Sequence, residues 1–179
     1  MARRAPSPEV FYIGTLESAS DFPLEARGLQ CKWEILHGDS YEVLEGNVAG
    51  LTHLHVLEHN TKQISNMAIL NHTIDAHLAA IELAGPAPKL KITMYMLNSS
   101  RRLELVGYGC CALPLVPGAH HVAVHCWRPL GTFFERLTTQ FLGRYPSLAD
   151  TSLVIADKNR FGLACESSGV VHVTLNCLR

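Results

Sequence analysis

The sequence predicts a mainly all-β protein, an antiparallel β-sandwich with one short α-helix near residues 133–142. Three observations carry this. Apolar and polar residues alternate with a period of two over many short segments, the mark of strands buried on one face. Turn-forming clusters of Gly, Pro, Asn and Ser separate those segments. A single stretch after residue 131 changes to helical spacing. The 179 residues correspond to about one domain, and 47% hydrophobic with 17% charged residues describes a chain that builds a core.

The first nine residues, rich in Pro and Arg, read as a loose tail, which leaves residues 10–179 as a single domain. The clearest strands span 29–36, 89–97 and 170–177. In the first, Leu29, Cys31, Trp33 and Ile35 share one face; in the second, Leu90, Ile92, Met94 and Met96 do; in the third, Val171, Val173, Leu175 and Cys177 do. Weaker runs lie at 10–16, 52–57, 74–81, 103–113 and 121–127, and a short one at 153–156. The expected turns include Gly38-Asp39, Gly85-Pro86-Ala87-Pro88, Asn98-Ser99-Ser100, Pro117-Gly118 and Ser167-Ser168-Gly169. One-faced strands joined this way pair antiparallel and stack as two sheets, with Trp33, Ile92, Met94, Val124, Val173 and Leu175 in the core. Segment 170–178 carries no acidic residue and no Pro. At a sheet edge it would be poorly protected and would invite pairing.

The helix has its own signals. Thr132-Phe133-Phe134-Glu135 fits a capping box, Phe134, Leu137 and Phe141 recur on one helical face, and Gly143 followed by Pro146 ends the run.

The chemistry searched for is mostly not found. Fifteen basic against sixteen acidic residues give a net charge of −1, so no strong basic field favours nucleic acid. No apolar run reaches the 18 or so residues of a membrane-spanning helix, and no apolar segment follows the basic start as in a secretory signal. The six cysteines, Cys31, Cys110, Cys111, Cys126, Cys165 and Cys177, form no C-x-x-C pair and read as small buried hydrophobes in a reducing compartment. Two histidine groups, His53-x-His55 with His59 and His120-His121 with His125-Cys126, invite a zinc reading. His53, His55, His77, His121, His125 and His172 nevertheless fall on the polar phase of their strands, which favours wet sheet faces. Nucleophile elbows and phosphate loops are missing from the sequence, and no cofactor is implied. The aspartates Asp21, Asp39, Asp75, Asp150 and Asp157 include no Asp-x-Asp pair of the kind that gathers calcium ligands. One candidate patch for acidic lipid headgroups or a partner remains: Lys89 and Lys91 on one strand face, with Arg101 and Arg102 in the following turn.

Several motifs then recur in a fixed order: Cys31-Lys32-Trp33, His72-Thr73-Ile74-Asp75, Gly107-Tyr108-Gly109, Pro117-Gly118 and the run Cys126-Trp127-Arg128-Pro129-Leu130-Gly131 before the helix. In this order they resemble the B9-domain family of ciliary proteins from about residue 10 to residue 178. The resemblance implies a C2-like sandwich without catalytic residues. It implies a structural subunit of the Meckel-syndrome (B9) complex at the ciliary transition zone, in the cytoplasm at the cilium base. There the family supports ciliogenesis and gates the entry of ciliary membrane proteins. The implied partners are other B9-domain proteins, namely B9 domain-containing protein one and the Meckel-syndrome type 1 protein, with weak membrane contact as a further option. A calcium-independent lipid-binding module is the alternative. Two departures from the family pattern stand out: Thr73 replaces a Pro, and Gly85-Pro86-Ala87-Pro88 lacks a loop aromatic.

Overall fold

The computed structural model describes residues 8–23, 26–57, 67–81, 85–130 and 164–179. Ten strands follow in order: β1 (Glu9–Ser20), β2 (Gly28–Leu36), β3 (Tyr41–Gly46), β4 (Ala49–Leu51), β5 (His55–Val56), β6 (Met67–Ala80), β7 (Lys89–Leu97), β8 (Leu103–Ala112), β9 (Gly118–Pro129) and β10 (Cys165–Leu178). A short 3-10 turn, Gly38–Ser40, sits between β2 and β3, and Gly38 takes the left-handed conformation expected of a turn glycine.

All pairings are antiparallel, in the order β3-β6-β1-β10-β9-β8-β7-β2-β4, with β5 also on β2. The expected sandwich is thus one sheet curled onto itself. Layer A is β3-β6-β1-β10-β9 and layer B is β8-β7-β2-β4. Their junction is narrow: among the described residues β8 and β9 share two facing pairs, Tyr108 with Trp127 and Gly109 with Cys126. Across the interior, Trp33 of β2 lies with its ring centroid 5.9 Å from that of His72 on β6.

The apolar phase of each strand points into this space. Tyr12, Leu16, Leu70, Ile74, Val173 and Leu175 of layer A meet Trp33, Ile35, Ile92 and Met94 of layer B in one core. All six core residues expected from the alternation are buried.

The glycines of Gly107-Tyr108-Gly109 explain why the corner closes. A Cβ on Gly107 would run into the Ser168 side chain of β10, and one on Gly109 would sit 2.8 Å from Val124 and 3.1 Å from the Cys126 sulfur. Only a residue without a side chain lets the strands approach this closely. The register of β8 against β7 also slips beside Gly107.

Several sequence expectations need correction. Segment 170–178 is not an edge: β10 lies between β1 and β9 and is hydrogen-bonded along both sides. The reason is the strand order, which no local pattern encodes. Ser167-Ser168-Gly169 is not a turn but a bulge inside β10, where the register shifts between Ser167 and Gly169. The tail expected to reach residue 9 stops sooner, because the Pro8 carbonyl accepts the Ala80 N–H and Glu9 opens β1. The strand expected at 52–57 reduces to β5, since the Thr52 hydroxyl is taken up by the Cys31 N–H at 3.0 Å. Strands β3 and β4 were not expected at all. The capped helix at 133–142, the strand at 153–156, His59, Gly131, Asp150 and Asp157 lie outside the described residues.

Candidate partner-binding surface

Most of the residues that carry the family resemblance lie on the inner face or at the corner, with Lys32, Thr73 and Asp75 facing outward. Trp33 is buried, and its indole lies where a Cβ on Gly50 would be, 2.7 Å from Nε1. Cys31 is buried beside it, while Lys32 on the opposite phase is exposed. Tyr108 and Trp127 pair across the β8–β9 junction with ring centroids 5.9 Å apart. Next to them Arg128 Nε donates to the Glu166 carboxylate, Pro129 faces Cys165, and the Leu130 N–H donates to the Ala164 carbonyl. This set builds the fold. It gathers no reactive groups.

The cysteines bear this out chemically. Cys31, Cys126 and Cys177 are buried, Cys110 and Cys111 half-buried and Cys165 exposed. Burial pushes Cys111 up to about 11 and Cys126 up to about 12, each reinforced by a neighbouring cysteine. Cys31 is raised in the same way, by burial first and Cys126 second. A thiol held above its ordinary value is a poor nucleophile at neutral pH. Among the described residues no three His, Cys, Asp or Glu side chains come close enough together to hold a metal ion, and no helix is long and apolar enough to cross a membrane.

The expected basic patch is not gathered by the fold. Lys89 opens β7 and Arg101-Arg102 lie beyond its far end, after Leu97. Eight residues of strand separate them by about 26 Å. Lys91 is directed to Glu34 at 3.4 Å, with its side chain only 14% exposed. On the same outer face of layer B, Thr93 and Tyr108 are buried, whereas Lys32, Leu51 and Leu103 remain exposed.

The outer face of layer A is open, and the sequence reading named Thr73, Asp75, His77 and His121 on it without reading them as one surface. Facing rows run Glu45–His77–Phe11–Leu178, Asp75–Ile13–Asn176–Ala119 and Thr73–Thr15–Thr174–His121. The Phe11 ring stacks on His77 at 3.8 Å, and His77 Nε2 meets the Glu9 carboxylate at 3.0 Å. The Thr174 hydroxyl donates its single proton to Glu17 at 2.6 Å. It must therefore accept from His121 Nδ1, 2.9 Å away, which fixes that ring's tautomer. Ile13, Met67, Ile69 and Leu178 are each about half exposed on this face. A signal for it does exist in the run Val10-Phe11-Tyr12-Ile13, which is apolar on both phases. A strand with one wet face would not need that.

Comparison with known proteins places the chain. The B9-C2 family model, described as "Ciliary basal body-associated, B9 protein", matches residues 10–178. The chain is 35% identical over 170 residues to B9 domain-containing protein 2 of Homo sapiens, covering 95% of this chain and 93% of that one. It is 31% identical over 172 residues to B9 domain-containing protein 2 of Drosophila melanogaster, covering 95% and 92%. It is 27% identical over 176 residues to B9 domain-containing protein 1 of Xenopus laevis, covering 96% and 86%. Among solved structures, the C2A domain of plant Extended Synaptotagmin 1 aligns with a TM-score of 0.44 at 10% identity, covering 98% of this chain and 96% of that one. The chain belongs to the B9-C2 family of ciliary basal body-associated proteins.

Proposed function

We propose that the chain is a non-enzymatic structural subunit of the B9 (Meckel-syndrome) complex at the ciliary transition zone, where it supports ciliogenesis and the gating of ciliary membrane proteins. Its partners are then B9 domain-containing protein one and the Meckel-syndrome type 1 protein. The observation that carries this reading is the match to proteins named B9 domain-containing protein 2 along nearly the whole of both chains. The raised thiols and the separation of Lys89 from Arg101 and Arg102 along β7 support a scaffold more than a catalyst or a lipid-binding module. A membrane reading would rest on Lys89, Lys91, Arg101 and Arg102, which the fold holds apart.

The test is affinity purification of the tagged chain, expressed at its native level in ciliated cells, with parallel imaging. Recovery of both B9 partners and a signal between the basal body and the axoneme are expected. Purification free of both partners would overturn the reading.

A further inference from the structure

The open face of layer A has a composition that selects its occupant. Its five strands carry Glu9, Glu17, Glu42, Glu45 and Asp75 outward. The same strands hold no Lys and a single Arg, Arg128, which pairs with Glu166. Glu42, Glu45 and Asp75 meet no cation among the described residues. Between these carboxylates lie Phe11, Ile13 and Leu178, adjacent across β1 and β10, and further along Ile69 and Met67 beside Ser18 and Ser20. An apolar centre with a charged rim of one sign is the layout of a protein contact surface.

Size agrees. Twelve residues of β1 rising about 3.4 Å each give a length of about 40 Å. Neighbouring strands about 4.8 Å apart give a width of about 19 Å. Allowing for the short β3, the face offers roughly 700 Å², close to the roughly 800 Å² that each partner contributes to a stable interface.

We infer that this face, centred on Ile13 and rimmed by Glu45 and Asp75, docks a protein partner that presents Lys and Arg around an apolar patch. Charge sets the choice. An anionic membrane or a nucleic acid would be repelled by five carboxylates. The inference rests on the reading above that the chain works inside an assembly, and it names the surface used there.

The experiment compares the isolated chain with the assembly purified from ciliated cells. Carboxylates are labelled by carbodiimide coupling to a small amine, and cross-links formed without added amine are mapped. Labelling of Glu42, Glu45 and Asp75 should fall at least fivefold in the assembly, with cross-links to lysines of another protein. The double variant Ile13→Lys/Asp75→Lys should keep the parent's thermal midpoint and lose at least tenfold of partner recovery. Arg101→Glu/Arg102→Glu should recover the partner normally. Recovery of the B9 partners with unchanged labelling overturns the surface and leaves the assembly reading standing. Protection by a different basic protein supports the surface and overturns that reading. Cross-links only to the chain's own lysines between copies, or protection by phosphatidylserine vesicles alone, overturns the proposed occupant. A parent chain that captures nothing overturns both.

Discussion

The two layers of the curled sheet are alike inside and unlike outside. Ile92 of layer B and Leu175 of layer A are equally buried. Outside, layer B leaves Leu51, beside Lys32, and Leu103 half exposed and ties Lys91 to Glu34, whereas layer A leaves Ile13 and Ile69 half exposed among carboxylates. Inner faces report the fold, which any apolar alternation can build. The outer faces are where two layers of one fold acquire different duties.

The largest effects should come from the part the layers share. Ile92→Ala and Leu175→Ala should each lower stability by about 2–5 kcal/mol, read from urea midpoints. A cost in one layer alone would mean that the two do not share a core. Next comes the corner that joins them. Gly109→Val must push against Val124 and Cys126 and should cost about 1–3 kcal/mol. A midpoint equal to the parent's would show that the corner is loose.

The layers should also respond together to alkaline pH. Cys111 of β8 and Cys126 of β9 are both raised above the ordinary thiol value of 9.0, to about 11 and about 12. The unfolded chain then loses its thiol protons first, so these groups stabilise the fold fully below pH 9 and less as pH rises toward 11 and 12. The decline should approach about 1 kcal/mol per pH unit for each thiol, seen as a falling thermal midpoint above pH 9. A midpoint that is flat from pH 9 to 11 would contradict the burial of these sulfurs. The smallest effect belongs to the outer face of layer B: Glu34→Gln should cost at most about 1 kcal/mol, because the Glu34 side chain is substantially exposed. A larger loss would mean that the Lys91 ammonium has no other way to reach water.

Legibility in the sequence followed how cleanly each strand alternates, so β6, β1 and β10 were read only in the part free of bulges or irregular burial. β7 was read to the residue and β2 to within one, because both alternate cleanly against the core. β3 and β4 escaped notice. Only Tyr41 of β3 is buried, and Glu42, Leu44 and Glu45 follow no period of two around the bulge. Such edge pieces form because a partner strand offers its backbone, and that information lies elsewhere in the chain. The same reasoning explains the misplaced edge at 170–178, since a clean alternation says which face is buried but not which strands stand alongside. Two of the family motifs, Gly107-Tyr108-Gly109 and the run from Cys126 to Pro129, sit at the corner, where side-chain size is tightly constrained. The open face of layer A left only a faint trace, the run Val10-Phe11-Tyr12-Ile13 that is apolar on both phases, because partner contact requires no local backbone signal.

The position of β10 also governs when the protein can fold. It is the last described strand in chain order, yet it lies inside layer A between β1 and β9, and Thr15 of β1 faces Thr174 across 159 positions. Until that strand has left the ribosome, β1 and β9 have unpaired flanks and the core has no floor. Contacts so distant in sequence close slowly and leave sticky intermediates exposed. A premature stop before residue 165 would therefore remove the centre of the sheet, and the shortened chain would be a substrate for chaperones and proteases rather than a weakened subunit.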